Sequence, residues 1–190
     1  ISMPTKLINQ LALPLILLLA FLLRAWSIGS FPSLNPDEAA LGYNAYSLIL
    51  TGKDEHGVSW PLHFKSFGDF KPGGYVYLAL PFIKLLGLNV FATRLPNLIL
   101  SILTIYFLYQ LVLLLTRNLK LSILTAFVLA INPWHIHFSR GAWETSTALF
   151  FIVLGLYLFY SYVLNLKSYF LYFSIISFVA SLYLYHSARL

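Results

Sequence analysis

The chain has 190 residues, 59% of them hydrophobic, 17% aromatic and 9% charged, and its mean hydropathy is +0.80. This composition indicates a protein that crosses a membrane several times rather than a soluble domain. The net charge of +6 comes from single Lys and Arg residues and the chain has no cysteine, so we predict no nucleic-acid partner, no disulfide and no thiolate zinc site.

The first predicted element is a transmembrane helix over residues 7–28. Its run of about 22 mostly apolar residues is long enough to cross the roughly 30 Å of bilayer hydrocarbon. A cleaved signal peptide is the alternative, because the sequence AWS near its end resembles a cleavage site. We favour the transmembrane helix, since Arg24 lies where an apolar core should end and further apolar segments follow.

Residues 29–94 are the polar part of the chain and hold five of its six acids. We predict a large loop with helices of its own. The first of these should begin with Asn35 as N-cap and Pro36 in the first helical position. Glu38 can complete a capping box, and Gly52 should end the helix. Its polar and apolar faces are those of an amphipathic helix that lies along the membrane surface.

The segment over residues 71–87 has two interpretations. It is apolar but only about 17 residues long, with Pro81 and Lys84 inside it, so it is short for a span and suits a second interfacial helix. If it lies flat, Arg94 and Arg140 are on the same side of the membrane as Asp37. If it spans, they are on the opposite side. The distribution of Lys and Arg does not decide, and segment length favours the flat arrangement.

The rest of the chain is predicted to cross the membrane four more times. The segments are residues 96–115, 119–138, 148–164 and 168–185. The second of these must kink or break near Asn132 and Pro133. The predicted fold class is therefore an all-α polytopic membrane protein with about five transmembrane helices and interfacial helices in its first large loop. We expect residues 1–190 to be the N-terminal module of a longer protein.

Asp37 and Glu38 are the first candidates for chemistry. Both can stabilise a helix N-terminus, by about 0.5–2 kcal/mol, and Glu38 is well explained as part of the capping box. Neighbouring helix positions point about 100° apart, so the two acids cannot serve one site equally. Asp37 is not needed for capping. A carboxylate held ionised by a helix dipole can act as general base for a hydroxyl acceptor.

Lys71 is a candidate for binding phosphate at the membrane surface. Gly73 and Gly74 follow it and allow close approach of the backbone. The simpler alternative is a lysine that anchors the segment at the interface. The histidines match no metal-ligand spacing, so no metal site is predicted.

Arg94, Arg140 and Glu144 flank later apolar segments. The two arginines offer bidentate hydrogen bonds to phosphate. Arg140 and Glu144 are four residues apart, so a surface ion pair at a helix start is the alternative for them. If the flat arrangement holds, a carboxylate and several cations gather at one face, which suits a phosphorylated lipid substrate.

Three motifs together resemble a known family. They are PDE after the first span, WPLHFKSFGDFKPGGYVYLALPFIKLLGLNVFATRLPNLI in the middle, and NPWHIHFSRGAWE further on. In this order they resemble the N-terminal part of the GT-C membrane glycosyltransferases, in the superfamily of protein O-mannosyltransferases and lipid A aminoarabinose transferases. The resemblance covers most of residues 1–165.

This resemblance implies an inverting transfer of a hexosyl or pentosyl group from a polyprenyl phosphate sugar donor. The acceptor would be a hydroxyl of a protein, lipid or glycan, and the site would lie outside the cytoplasm, in a multi-pass protein of the cell membrane. No resident cofactor is implied, although some relatives use divalent ions. A lipid-linked sugar transporter or flippase, or a noncatalytic membrane subunit, is the alternative. Neither the sugar nor the acceptor can be read from these residues.

The resemblance also implies roles for single residues. Asp37 resembles the catalytic base and Glu38 its partner in the motif. Lys71 resembles the lysine of a Lys-Pro-Pro motif near the donor phosphate, although Gly73 stands where the second proline is expected.

Further along, the resemblance places Arg94 and Arg140 at the donor phosphate, as the arginines that begin one span and end the SR motif. Glu144, in the same motif region as Arg140, is predicted to have a supporting role.

Overall fold

The computed structural model describes residues 5–66 and 68–186, the first six of them as backbone only. Over these residues the chain forms eight helices and one two-stranded antiparallel hairpin. The helices are α1 (Thr5–Ala25), α2 (Pro36–Thr51), α3 (Gly74–Leu86), α4 (Val90–Thr116), α5 (Leu119–Ile131), α6 (Pro133–Ser139), α7 (Glu144–Asn165) and α8 (Ser168–Leu184). The strands are β1 (His63–Ser66) and β2 (Asp69–Pro72).

Two of the described helices, α4 with 27 residues and α7 with 22, are long and apolar enough to cross a membrane. The bent pair of α5 and α6 makes a third if it counts as one span. Helix α8 and the part of α1 over Leu11–Ala25 are apolar but shorter. The predicted all-α polytopic class is confirmed, whereas the described residues give two or three candidate spans instead of five.

The expected break near Asn132 is present, and it bends the chain by 60° between α5 and α6. The side chain of Asn132 accepts a hydrogen bond from the backbone N–H of His135 at 2.9 Å and so caps α6. Pro133 occupies the first position of the new helix, where the N–H it lacks would have no partner. Asn132 and Pro133 therefore end α5 and start α6.

Helix α2 has the predicted ends. The Asn35 side chain accepts from the Glu38 N–H at 2.9 Å, and Oε2 of Glu38 accepts from the Asn35 N–H at 3.3 Å. Gly52 ends the helix with a φ of +69°. Asn44, in the middle of α2, is buried although it is polar. Its Nδ2 donates to Oε1 of Glu55, and its Oδ1 accepts from the backbone N–H of Glu55.

The hairpin of β1 and β2 was not predicted from the sequence. It pairs Phe64 with Lys71 in register, and because strand side chains alternate, Asp69 and Lys71 lie on the same face of β2. Gly73, just after β2, donates its N–H to the carbonyl of Leu62 at 3.0 Å. A proline in that position could not make this bond, which accounts physically for the departure from the Lys-Pro-Pro motif.

Helix α3 has 13 residues, and at 1.5 Å per residue it is only about 20 Å long. That is less than the roughly 30 Å of bilayer hydrocarbon, so it is too short to cross alone, as the flat arrangement requires. Val76, Ala79 and Ile83 are buried, while Leu85 is exposed. The buried face belongs to the same hydrophobic cluster as residues of α2 and α4.

A buried amide ties α4 to the corner between α6 and α7. Asn97, fully buried on α4, donates from Nδ2 to the carbonyls of Phe138 at 2.7 Å and Gly141 at 2.6 Å. Its Oδ1 accepts from the Thr147 hydroxyl at 3.3 Å. This network fixes the start of α7 relative to α4.

We expect Gly74→Ala to destabilise the fold by about 1–3 kcal/mol, as overpacking does. A Cβ at Gly74 would lie 2.9 Å from the backbone oxygen of Tyr183, so α3 and α8 would have to separate. Gly29→Ala is the matched control, because its Cβ would meet Phe91 at an ordinary 3.6 Å. The measurement is the midpoint of thermal unfolding in detergent, and equal midpoints for the two variants would contradict the close approach of α3 and α8.

Candidate active site

A polar cavity of about 250 Å³ lies where β2, the N-terminal ends of α2 and α7, and the C-terminal end of α8 meet. We call it the Asp37 cavity. Its acidic side chains are Asp37, Asp69 and Glu144. Its other lining residues are Lys71, Pro72, Phe138, Trp143, Thr145, Leu184, Tyr185 and His186.

Asp37 and Lys71 are in direct contact in this cavity. The Lys71 ammonium donates to Oδ1 of Asp37 at 2.5 Å. The Lys71 side chain is 27% exposed and the Asp37 side chain is 45% exposed. Glu144, the first residue of α7, lines the same cavity. The structure therefore brings together three of the six residues chosen from the sequence.

Glu38 does not line the cavity. Its side chain is buried, and its carboxylate accepts hydrogen bonds from Arg94 Nε at 2.8 Å and Nη2 at 2.7 Å. The same carboxylate accepts from the backbone N–H groups of Ala142 at 2.6 Å and Asn35 at 3.3 Å. These bonds join the starts of α2 and α4 to the loop before α7, which is a structural role.

Arg94 is fully buried on α4 and uses all five of its N–H donors within the protein. Two go to Glu38, and the other three go to the carbonyls of Ile28 and Pro32, each at 2.9 Å, and Ser33 at 3.4 Å. None remains for a donor phosphate. This geometry corrects the placement of Arg94 at the phosphate, because its guanidinium holds the segment after α1 against α2.

Arg140 does not line the Asp37 cavity. Its Nη2 donates to the carbonyls of Trp26 at 2.7 Å and Phe31 at 3.1 Å, and its guanidinium lies 5.7 Å and 5.3 Å from the centres of their rings. It lines a separate, mostly apolar cavity beside the end of α1. Among the described residues it forms no ion pair with Glu144.

The charges around the Asp37 cavity favour a bound anion only at one point. Lys71 is the sole Lys or Arg among the described lining residues, against three carboxylates. Asp37 and Glu144 are both in the first turn of a helix, so two positive helix-dipole ends, each equivalent to about half a charge, point at the cavity and offset part of this negative charge. An anionic ligand would therefore bind next to Lys71.

Eight lining residues were not selected from the sequence as site residues: Asp69, Pro72, Phe138, Trp143, Thr145, Leu184, Tyr185 and His186. His186 bonds through Nε2 to the carbonyl of Phe70 at 3.0 Å, which joins the end of α8 to β2. No sequence periodicity relates these positions, because they come from β2, the α6–α7 corner and the end of α8, which are far apart along the chain.

No group of three His, Asp or Glu side chains in the described part of the chain could hold a metal ion. The expectation that the site needs no resident metal is not tested by this and stays a prediction.

The comparison with protein families gave one match. A family model described as dolichyl-phosphate-mannose-protein mannosyltransferase matches residues 15–184, which is most of the chain. No curated protein and no solved structure gave a significant match.

We expect Glu38→Gln to destabilise the protein by about 3–5 kcal/mol, because it leaves the buried charge of Arg94 without its counterion. Asp69→Asn is the matched control, since Asp69 is exposed and forms no ion pair among the described residues. Thermal unfolding in detergent measures both. A Glu38→Gln protein with the wild-type midpoint and no activity would instead place Glu38 in the chemistry.

Proposed function

This chain belongs to the dolichyl-phosphate-mannose-protein mannosyltransferase family, and we propose that it transfers a sugar from a polyprenyl phosphate donor to an acceptor hydroxyl in the Asp37 cavity. The observation that carries the proposal is the contact between Lys71 and Asp37. In this contact a lysine ammonium, which can bind phosphate, lies beside a carboxylate, which can accept a proton. The family is one of membrane mannosyltransferases, so mannose is the sugar that we test first.

Asp37 is the proposed general base. Its side chain is 45% exposed and lines the cavity, so an acceptor hydroxyl can reach it. As the acceptor oxygen attacks the anomeric carbon, its proton passes to the Asp37 carboxylate. Glu38 cannot take this role from its buried position against Arg94.

Lys71 is the proposed partner of the donor phosphate. The bond between the anomeric carbon and the phosphate oxygen breaks, and the phosphate keeps the electron pair. The Lys71 ammonium stabilises this growing negative charge. The products are the glycosylated acceptor and the polyprenyl phosphate, and phosphate is a good enough leaving group that no general acid is needed.

Donor binding and base activation are coupled in this scheme. Asp37 holds Lys71 at 2.5 Å, and a donor phosphate would compete with Asp37 for the same ammonium. The four-carbon stem of lysine lets the ammonium move without a change in the backbone. Once the ammonium bonds the phosphate, the Asp37 carboxylate is released from Lys71 and can accept the hydrogen bond of the acceptor hydroxyl.

Glu144 is proposed to have a supporting role. It begins α7 and lines the cavity together with Asp37, so it can accept a hydrogen bond from a hydroxyl of the sugar or of the acceptor. Arg94 is not assigned to the phosphate, because all five of its donors bond groups within the protein. Arg140 is not assigned to it because it lines a different cavity.

The site is proposed to face the outside of the cell membrane. The opposite ends of the long helices carry Arg117 and Lys120 near the α4–α5 turn and Lys167 at the α7–α8 turn. These short turns contain no acid. By the positive-inside rule such turns face the cytoplasm, which leaves the Asp37 cavity on the other side.

We expect Asp37→Asn to lower kcat by about 100-fold to 10⁴-fold, the usual contribution of a general base, and to lower the KM for the donor, because no carboxylate then competes with the phosphate for Lys71. Asp69→Asn, a matched change in the same cavity, should keep turnover within a few-fold of wild type. The measurement is transfer of labelled mannose from a mannosyl phosphate polyprenol to acceptors in membranes. Retained turnover in Asp37→Asn would rule out this base.

Lys71→Gln should instead raise the KM for the donor as well as lowering kcat, because the lysine contacts the phosphate before and during bond breaking. The same assay separates the two effects. Movement of the donor lipid across the bilayer without any transfer product would favour a transporter.

Single cysteines test the side of the membrane, since the chain has no cysteine of its own. Val58, in the loop before β1, and Lys167 are both exposed. We expect a membrane-impermeant maleimide added to intact cells to label Val58→Cys and to leave Lys167→Cys unlabelled until the membrane is opened. The reverse pattern would place the cavity in the cytoplasm.

A further inference from the structure

The cavity that Arg140 lines beside the end of α1 has a volume of about 510 Å³. This volume lies within the range of small-molecule sites, roughly 300–1,000 Å³. We call it the Arg140 cavity. Its other lining residues are Leu22, Leu23, Ala25 and Trp26. Arg140 is therefore the one charged residue among the described lining residues, and the other four are aliphatic or aromatic.

The guanidinium of Arg140 is only partly satisfied within the protein. Of its five N–H donors, the two on Nη2 go to the carbonyls of Trp26 and Phe31. Nε is buried without a partner, and Nη1 makes no hydrogen bond to the described residues. Arg94, in contrast, uses all five of its donors internally. The two N–H groups of Arg140 Nη1 are therefore available to a ligand.

The charge of Arg140 also has no counter-ion among the described residues, because none of the described ion pairs includes it. The carbonyls and the aromatic rings of Trp26 and Phe31 stabilise a guanidinium but carry no net charge. Burial, and then the charge of Arg94, lowers the pKa of Arg140, which is the direction expected for a cation without an anion beside it. The Arg140 cavity therefore favours an anionic ligand.

An exposed apolar stripe on α1 leads away from this cavity. It consists of Leu11, Leu15, Leu18 and Leu22, and at 100° per residue these four positions fall within about 60° of one another on the helix. From Leu11 to Leu22 the stripe is about 16 Å long at 1.5 Å per residue. Half of the roughly 30 Å of bilayer hydrocarbon is about 15 Å, so the stripe is as long as one leaflet is deep.

Two exposed aromatic residues place Arg140 at the level of the lipid headgroups. Trp26 is 70% exposed and Phe31 is 59% exposed, and both follow the end of α1 at Ala25. Aromatic side chains, Trp in particular, are enriched where a membrane protein leaves the hydrocarbon and meets the headgroups. Since Arg140 contacts both rings, its charge lies at the same depth.

We propose that the Arg140 cavity binds the headgroup of an anionic bilayer phospholipid, with one acyl chain lying along the leucine stripe of α1. The Nη1 group donates to the phosphate oxygens, and the acyl chain covers the leucines. This site is separate from the proposed donor phosphate at Lys71, and it does not depend on the proposed function. Because Arg140 already joins the turn after α1 to the α6–α7 corner, a bound lipid stabilises that junction.

The combination of an unpaired cation and an apolar stripe selects a lipid as the occupant. A soluble phosphate would pair with Arg140 and leave the leucines uncovered. A helix of a second copy of the chain would cover the leucines, but it would have to bring an acid to Arg140. An anionic phospholipid supplies the charge and the hydrocarbon in one molecule.

The test is a titration of the full chain in detergent, followed by native mass spectrometry. The ligands are dioleoylphosphatidylglycerol, which is anionic, and dioleoylphosphatidylcholine, which has the same acyl chains and no net charge. We expect one phosphatidylglycerol per chain, with a Kd about tenfold below that of phosphatidylcholine, because a charged hydrogen bond to Arg140 is added. Equal Kd values would overturn the proposal.

The source of the anion is tested with glycerophosphoglycerol, which is the headgroup of phosphatidylglycerol without its acyl chains. We expect it not to displace the lipid at equal concentration. Displacement would show a site for a soluble phosphate and would overturn the proposal. Undecaprenyl phosphate that binds at Arg140 more tightly than phosphatidylglycerol would return Arg140 to the sugar donor, with the same consequence.

Arg140→Gln should raise the Kd for phosphatidylglycerol to that for phosphatidylcholine. Arg117→Gln is the matched control, because Arg117 is exposed, forms no described ion pair and removes the same charge from the α4–α5 turn. We expect it to keep the preference. An equal loss in both variants would reduce the preference to net charge and contradict a site at Arg140.

A second pair of variants keeps Arg140 and its hydrogen bonds, in case Arg140→Gln does not fold. Leu22→Glu places a carboxylate in the wall of the Arg140 cavity, where it can pair with the guanidinium. We expect it to abolish the preference for phosphatidylglycerol, whereas Leu22→Gln, of the same shape and without the charge, should keep it. Equal preferences in this pair would overturn the proposal.

The path of the acyl chain is mapped in nanodiscs with a phosphatidylglycerol that carries a diazirine on one acyl chain. After irradiation we expect crosslinks on α1 near Leu15 and Leu18, which are lost in Leu22→Glu and kept in Leu22→Gln. Crosslinks that avoid α1, or that are the same in both variants, would contradict the placement of the lipid on the stripe.

Discussion

The buried ion pair between Glu38 and Arg94 organises the region around the Asp37 cavity. Two charges removed from water are costly unless hydrogen bonds satisfy them, and here every donor of Arg94 and both carboxylate oxygens have partners. Those partners come from the turn after α1, from α2, from α4 and from the loop before α7. Four separate parts of the chain are thereby held at one point.

This pair also explains why the side chain of Asp37, the adjacent acid, can face the Asp37 cavity. Consecutive helix residues point about 100° apart, so when Glu38 points inward to Arg94, Asp37 must point elsewhere, and it lines the cavity. The separation of the two acids into a capping residue and a candidate base was predictable from the sequence, because it follows from helix geometry and from the local capping box.

Features that depend on a few neighbouring residues were predicted, and features that depend on distant ones were not. The caps at Asn35 and Gly52 and the break at Asn132 involve partners within four positions. The partner of Arg94 is 56 residues away, and the carbonyls that hold Arg140 are more than a hundred. A sequence shows that such a cation is present, and only the fold shows whether it is already satisfied.

The predicted count of five spans is not confirmed, because two described helices, or three spans with the bent pair, are long and apolar enough to cross a membrane. Hydropathy measures how apolar a segment is and does not give the length of the helix that the segment forms. The last predicted span, residues 168–185, is present as the 17 residues of α8, which ends where the backbone becomes extended at Tyr185. The end of α8 brings Tyr185 and His186 to the Asp37 cavity.

The proposed reaction requires one part of the site to move while the rest stays fixed. The Glu38–Arg94 pair fixes the backbone that carries Asp37, and the hydrogen bond from Gly73 to Leu62 fixes the end of β2 beside Lys71. What remains adjustable is the Lys71 side chain, which bonds Asp37 in the structure and would bond the phosphate of a donor. In the proposed reaction, this fixed carboxylate beside a mobile cation frees Asp37 for the acceptor hydroxyl only when the leaving group is in place.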